Sequence, residues 1–209
     1  MTDIFRIVVQ FAVVLFALSV HESAHAWSAD KFGDPTARLM GRVTLNPLAH
    51  IDLIGTIIFP ILLAVIGAPV FGWAKPVMVN PNNLRNRRRD GMLVSAAGPI
   101  SNLLVAGATI LAFLALKGTG LLASPPLFTI LLFLIIINIY LAVFNLIPIP
   151  PLDGSGVLEG MLKGNALRAF EAVRPYGFFI LLLIIYSHLL DFIAGPIFRL
   201  VMKVLGLGA

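Results

Sequence analysis

The stretch IFRIVVQFAVVLFALSVHESAHAW, residues 4–27, decides the fold class of this chain. It is apolar for most of its length, and a helix of about 20 residues can cross the roughly 30 Å hydrocarbon layer of a bilayer. It follows an acidic residue, Asp3, and lacks the basic start of a secretory signal peptide, so we interpret it as a retained helix. The stretch therefore predicts a transmembrane helix near the N-terminus.

The overall composition is also that of a membrane protein. Of 209 residues, 59% are hydrophobic and only 12% are charged, and the mean hydropathy is +0.98, whereas soluble domains are far more polar. The basic residues behind the net charge of +5 lie between apolar segments, which indicates membrane topology and argues against a nucleic-acid partner. There is no cysteine, so a metal would need His, Asp or Glu ligands.

Five apolar segments recur along the chain. They cover residues 4–27, 51–70, 91–116, 127–147 and 176 to about 205, and the last could be two helices broken near Asp191 or Gly195-Pro196. We therefore predict an all-α polytopic membrane protein with about five to six transmembrane helices. The chain 1–209 is interpreted as one membrane-embedded domain, with a core of about 4–160 and C-terminal helices at about 176–206.

A different pattern separates the first two apolar segments. Residues 38–45, RLMGRVTL, alternate between polar and apolar or small residues at period two, which is typical of a strand. We predict a small membrane-associated β hairpin or sheet at about 37–48.

The first segment ends in the motif HExxH, formed by His21, Glu22 and His25. Residues i and i+4 of a helix lie about 40° apart around its axis, so both imidazoles can bind one metal ion. Glu22 lies beside them, where a carboxylate can activate a water molecule. Ionisable groups are costly in lipid and persist there when they are buried and partnered. The alternative is a structural, hydrogen-bonded histidine pair.

A third ligand is expected elsewhere in the chain, because a catalytic zinc site usually takes three protein ligands and a water. The candidate is Asp153, in the segment NLIPIPPLDG at 145–154. Three prolines there end the helix and favour an extended segment that could turn a carboxylate inward. The alternative is a solvated interfacial turn in which Asp153 only shapes the loop.

The two ligand positions constrain how the chain crosses the membrane. His21 lies late in the first span and Asp153 directly follows the fourth, so one metal can join them only if both spans run in the same direction. We therefore expect 51–70, which contains two prolines, to be re-entrant. Most loop lysines and arginines then share the ligand side, and the positive-inside rule places the N-terminus outside the cell membrane and the site toward the cytoplasm.

Further polar residues are candidates for contacts near the metal. Asn145, near the end of an apolar helix, could donate a hydrogen bond to a substrate carbonyl or, alternatively, to another helix. Asn46 and His50 could support the ligands or contact substrate, with helix capping at the interface as the alternative. His188 stands alone in an apolar segment and is more typical of a packing residue than of a ligand.

Together these motifs resemble the site-2 protease family (peptidase M50) of intramembrane zinc metalloproteases, especially its small prokaryotic branch without PDZ or CBS domains. The matching segments are HESAHAW at 21–27, NPLAHIDLIGT at 46–56, GWAKPV at 72–77, SAAGPISN at 95–102 and NLIPIPPLDG at 145–154. The resemblance implies that His21, His25 and Asp153 bind one Zn²⁺ per chain. It also implies that Glu22 activates water and that Asn145 helps to hold the substrate.

The same resemblance implies a function in the membrane, namely hydrolysis of peptide bonds in membrane-spanning proteins, with a membrane-anchored regulator as a candidate substrate. The strand at 38–45 could pair with an unwound substrate. The lipid bilayer and membrane adaptor proteins are the other expected partners. Two alternatives stay open: a membrane metal-ion transporter, because intramembrane histidines and carboxylates also mark ion pathways, and an inactive substrate-binding pseudoprotease.

Overall fold

A computed structural model describes residues 3–67, 72–187 and 189–208, apart from the side chains of Asp3 and Asp191. Its α-helices are α1 (Asp3–Lys31), α2 (Thr36–Leu39), α3 (Phe59–Val65), α4 (Arg87–Leu116), α5 (Pro125–Asn145), α6 (Asp153–Met161), α7 (Gly164–Val173), α8 (Gly177–Tyr186) and α9 (Leu189–Leu205). Short 3-10 turns lie at Pro47–Ala49, Leu121–Ala123 and Arg174–Tyr176, and a π-helical stretch, Leu53–Ile58, precedes α3. The all-α prediction is confirmed for the described residues.

Four helical runs are long and apolar enough to cross a membrane. They are Ile4–Lys31 in α1, α4, α5, and Gly164–Tyr186, which joins α7 to α8. Of the about five to six predicted spans, four are found in the described part of the chain, while residues 53–65 form only short helices and α9 has 17 residues. The C-terminal stretch divides between Tyr186 and Leu189, while Pro196 lies inside α9. His188 lies outside the described residues.

The centre of the molecule is formed by α1, α4 and α5, with α4 packed against both of the others. Phe113 of α4, Ile135 of α5 and Leu205 of α9 are almost fully buried in one apolar cluster. The late part of α1 lies beside the segment that follows α5, since a side chain of each is in contact. The two helices therefore run in the same direction, as the positions of His21 and Asp153 required.

The two flanks of the segment predicted to be re-entrant lie close together. The backbone N–H of Trp73 donates to the carbonyl of Gly55 at 3.1 Å, and that of Lys75 to the carbonyl of His50 at 2.8 Å. Gly55 allows this close return, because a Cβ there would lie 2.2 Å from Nε1 of the Trp73 indole. The two ends of the excursion therefore lie together, as a re-entrant segment requires, whereas its depth in a bilayer stays a prediction.

The predicted β hairpin at 37–48 was wrong, because the described residues contain no strand and this part of the chain is a capped helix and turns. After α2 the chain passes through Gly41, whose φ of +69° lies in the left-handed region. The N–H of Arg42 then donates to the carbonyl of Ala37 at 2.9 Å, as in a Schellman cap. A 3-10 turn at Pro47–Ala49 follows. The helix cap outweighed the period-two alternation.

A buried carboxylate fastens the end of the returning segment to the end of α1. Asp34, which has no exposed surface, accepts hydrogen bonds from the N–H of Asn80 at 2.6 Å, from Nδ2 of Asn83 at 2.9 Å and from the N–H of Thr36 at 3.1 Å. Burial raises the pKa of the Asp34 carboxyl, but a hydrogen bond from the Thr36 hydroxyl and the bonds just named lower the pKa more, so it lies below its ordinary value. The ionised form therefore holds the loop beside α1.

Candidate metal centre

The HExxH helix brings its two histidines together. His21 and His25 lie one turn apart on α1, and their side chains are buried. Their Nε2 atoms are 3.1 Å apart, and the rings meet edge to face. The spacing of the motif therefore produces the paired imidazoles that the sequence predicted.

Asp153 completes the group, which we call the metal set: His21, His25 and Asp153. α5 ends at Asn145, and the proline-rich segment after it leads to Asp153 at the start of α6. Oδ2 of Asp153 lies 3.0 Å from Nε2 of His21, and Oδ1 lies 3.3 Å from Nε2 of His25. The three ligand atoms all lie within 4.8 Å of one another, so the described residues place one potential ligand from each side chain around a common point.

The outer hydrogen bonds of the histidines determine which ring nitrogen faces this point. Nδ1 of His25 lies 2.7 Å from the carbonyl oxygen of Val94, and Nδ1 of His21 lies 2.7 Å from Oδ1 of Asn102. Both partners are acceptors, so each Nδ1 carries the proton and each Nε2 keeps a lone pair. This arrangement is usual for histidines that bind a metal.

The chemistry and spacing of the metal set fit zinc. Two imidazole lone pairs and a carboxylate converge, and Oδ2 of Asp153 is buried without a hydrogen-bond donor. Acceptors that face one another in this way need a cation between them. Zinc takes such nitrogen and oxygen ligands in tetrahedral geometry at about 2.0–2.1 Å, which places neighbouring ligand atoms about 3.3 Å apart. The observed separations of 3.0–3.3 Å are close to that value.

Gly98 of α4 gives the metal set its space, and the sequence did not reveal this role. A Cβ at Gly98 would lie 2.4 Å from Nε2 of His25 and 2.6 Å from Cε1 of His21. Contacts this short require the neighbouring rings to move. The close approach of α4 therefore depends on a residue without a side chain.

Gly98→Ala is expected to lower zinc affinity by about tenfold or more, because overpacking costs about 1–3 kcal/mol and here displaces two ligands directly. Zinc binding would be measured by competition with a chelator. Gly107→Ala is the matched control, since a Cβ at Gly107 on the same helix meets nothing within 4 Å. Equal affinities for the two variants would contradict this account of Gly98.

Glu22 lies next to the metal set and is held by the returning segment. Its Oε2 accepts a hydrogen bond from the backbone N–H of Val77 at 3.0 Å. The side chain is only partly buried and lines the same cavity as the metal set. The structure therefore places a carboxylate beside the potential ligands, in a space that a substrate could enter.

This cavity has a volume of about 1770 Å³ and extends far beyond the metal set. It follows α1 from Ile7 to His25, a distance of about 27 Å for 18 residues. Its other walls are formed by residues of α4 to α8 and of the returning segment, among them Tyr140, Phe178 and Trp73. The space is long enough for a segment of polypeptide.

Two other predicted residues, Asn145 and Asn46, form hydrogen bonds within their own segments. Asn145 lines the cavity, but its Nδ2 donates to the carbonyl of Leu141 in its own helix at 3.0 Å. Its contact with substrate stays a prediction. Asn46 is exposed, and its side chain accepts from the N–H of Leu48, so it caps a 3-10 turn. The capping alternative holds for Asn46.

His50 is buried but is not part of the metal set. Its Nε2 lies 2.8 Å from the carbonyl oxygen of Thr44 and 3.4 Å from Oγ of Ser23. Ser23 follows His21 by two residues, so it lies about 200° further around α1. His50 therefore packs on the face of α1 that points away from the metal set.

Comparisons with known proteins agree with these features. The sequence model "Peptidase family M50" matches residues 120–184. "Putative zinc metalloprotease YwhC" of Bacillus subtilis (strain 168) is 38% identical over 187 residues, which cover 88% of this chain and 82% of that protein. "Putative zinc metalloprotease Rip2" of Mycolicibacterium smegmatis is 31% identical over 180 residues, covering 85% of this chain and 66% of its own length. The Rip2 protein of Mycobacterium tuberculosis (strain H37Rv) is 32% identical with the same coverage. No solved structure matches the chain.

Membrane-spanning helices, together with an HExxH helix whose two histidines are joined by an aspartate as third potential ligand, define a membrane protein with a metal-binding centre of the metalloprotease type. The relative in Bacillus is similar over most of both chains. The chain belongs to peptidase family M50, the site-2 protease family, and is a metalloprotease.

Proposed function

We propose that this protein is an intramembrane zinc metalloprotease that hydrolyses peptide bonds of membrane-spanning substrate proteins. The observation that carries the proposal is the convergence of three metal-ligand atoms beside Glu22 in one long cavity. His21 lies 18 residues after Asp3, or about 27 Å along α1. Cleavage would therefore take place near one end of the membrane-spanning helices.

We assign the metal set to one Zn²⁺ and Glu22 to proton transfer. When bound, zinc lowers the pKa of a water molecule and polarises a carbonyl. Glu22 takes a proton from the attacking water and delivers it to the leaving amine, so that the peptide bond is replaced by a carboxyl group and an amine. The N–H of Val77 holds one oxygen of Glu22, which leaves the other oxygen for the proton. Asn145, on the cavity wall, would donate to the substrate carbonyl.

We also propose where the substrate backbone lies. A transmembrane helix must unwind before its peptide bonds can be attacked. Residues 72–80 are without helix, and N–H groups of alternate residues, Trp73, Lys75 and Val77, donate toward the protein. The intervening Ala74 and Pro76 line the cavity, as do Trp73 and Val77. This extended edge, rather than the helix and turns at 37–48, would pair with an unwound substrate.

The transporter alternative finds less support. An ion pathway needs polar groups along its length. On the cavity wall formed by α1, the described residues before His21 include only one polar side chain, Gln10. An inactive pseudoprotease would not need Glu22, which is present.

We therefore favour proteolysis, with a membrane-anchored regulator as candidate substrate and adaptor proteins as candidate partners. We further propose that the N-terminus lies outside the cell membrane and the metal set toward the cytoplasm.

The proposal is tested with purified protein in proteoliposomes that also hold a model transmembrane substrate. We expect cleavage that a zinc chelator abolishes and added Zn²⁺ restores, without zinc flux across the vesicle. Zinc flux without cleavage would establish the transporter instead. Binding of the substrate without cleavage in the zinc-loaded protein would establish the pseudoprotease.

A further inference from the structure

Two buried asparagines connect a metal-set histidine to α5. Asn102 of α4 and Asn138 of α5 have no exposed surface. Oδ1 of Asn102 lies 2.7 Å from Nδ1 of His21, and Nδ2 of Asn102 donates to Oδ1 of Asn138 at 2.8 Å. The hydrogen bonds therefore run from α1 through α4 to α5. Polar groups buried between transmembrane helices need such partners.

The neighbours of these amides determine their orientation. Nδ2 of Asn138 donates to the carbonyl of Leu134 at 2.8 Å, so Oδ1 of Asn138 points toward Asn102. Nδ2 of Asn102 has two protons, which it donates to Oδ1 of Asn138 and to the carbonyl of Ala17, the latter at 3.1 Å. Both of these partners are acceptors only. Oδ1 of Asn102 must therefore face His21.

Rotation of the Asn102 amide by 180° would reverse this arrangement. Its Oδ1 would meet the two acceptors, and an N–H would face Nδ1 of His21. His21 would then carry its proton on Nε2, which would have no lone pair for a metal. Oδ1 of Asn138 and the carbonyl of Ala17 both oppose this rotation, because each would face another oxygen, and Asn138 forms the shorter of the two contacts.

We infer that Asn138 is a positioning residue that keeps His21 in the tautomer that binds metal. Asn138 is not part of the metal set or of the cavity wall, and it acts through Asn102. It also lies two helical turns before Asn145 on α5, the helix that leads to Asp153. One helix thus sets the tautomer of one ligand and the position of another. The inference rests on the metal site of the proposed function.

The test is Asn138→Leu, measured in two ways. Zinc affinity, from competition with a chelator, is expected to fall by about tenfold, the lower end of the range for lost outer partners of metal ligands. In metal-free protein labelled with ¹⁵N-histidine, NMR is expected to show His21 without its Nδ1 proton in a larger fraction of molecules than in the wild type. Thr109→Val is the matched control, because Thr109 is buried in α4 and its hydroxyl donates only within its own helix, to the carbonyl of Val105. It should change neither measurement.

A second variant covers the case in which Asn138→Leu does not fold. Asn138→Asp as a neutral acid keeps one donor and one acceptor in the same places, so it should retain both the tautomer and the zinc affinity within about threefold. Loss of the Nδ1–H tautomer in folded Asn138→Asp would overturn the inference.

A double-mutant cycle tests whether Asn138 acts on His21 through Asn102. In Asn102→Ala, no side chain links Asn138 to His21, so adding Asn138→Leu should change zinc affinity by less than about twofold. A tenfold change in this background, or weaker zinc binding with an unchanged tautomer, would show a merely structural role and overturn the inference. If the wild-type protein binds no zinc while the tautomer shifts in Asn138→Leu, the tautomer lock stands and the proposed function fails.

Discussion

Glu22→Gln is expected to slow cleavage of a transmembrane substrate by between about 10²- and 10⁴-fold, the usual contribution of a general acid or base. Glutamine has nearly the same shape and can still accept the hydrogen bond from Val77, but it cannot take a proton from water. The zinc content should stay at one ion per chain. Cleavage rates in detergent or vesicles and elemental analysis of the same preparation provide the two measurements.

Asp30→Asn is the control for loss of a carboxylate from α1. Asp30 lies two turns after Glu22 and forms an ion pair with Arg38 at 2.7 Å near the surface. Such pairs contribute little to stability, so activity should be unchanged. Undiminished cleavage by Glu22→Gln would remove Glu22 from the mechanism.

Asp153→Ala should reduce zinc affinity by more than about 100-fold, beyond the about 10- to 100-fold that loss of an outer partner costs. Both oxygens of Asp153 face the histidine nitrogens, and no neighbouring carboxylate among the described residues belongs to the metal set. Cleavage should fall in parallel and recover in part at high zinc concentration. Chelator competition and cleavage assays over a range of free zinc test both statements.

Ser155→Ala is the control for Asp153→Ala, because it changes a side chain in the same turn without removing a metal ligand. Ser155 lies in the first turn of α6, and its hydroxyl donates to the carbonyl of Leu152 at 2.6 Å. It is not part of the metal set, so its variant should bind zinc as the wild type does. Wild-type zinc stoichiometry and affinity in Asp153→Ala would reject Asp153 as a ligand.

Much of this arrangement could be predicted from the sequence. The helix of the HExxH motif follows from its apolar run, and the motif's spacing places His21 and His25 on one face. The common direction of α1 and α5 followed from the requirement that one ion join His21 and Asp153. These predictions succeeded because local periodicity and chain connectivity determine them.

Other features depend on tertiary contacts that no local pattern encodes. Residues 38–45 alternate like a strand, but a left-handed glycine at Gly41 ends a short helix there. The sequence does not distinguish Gly98 from the other glycines, because its role depends on the packing of α4 against His21 and His25. Asn102 and Asn138 could have been recognised as buried and partnered, because amides inside apolar helices are costly in lipid. Their partners could not be predicted, because they lie on other helices.

The wide separation of the metal-set residues in the chain has a consequence for biosynthesis. His25 and Asp153 are 128 residues apart, and Asp153 lies nearly three quarters of the way along the 209 residues. While the ribosome is still making α4 or α5, α1 already carries its histidines and Glu22, but the aspartate that completes the centre does not yet exist. The growing polypeptide therefore enters the bilayer without a finished active centre, and newly inserted neighbours are not exposed to a working protease until α6 has emerged.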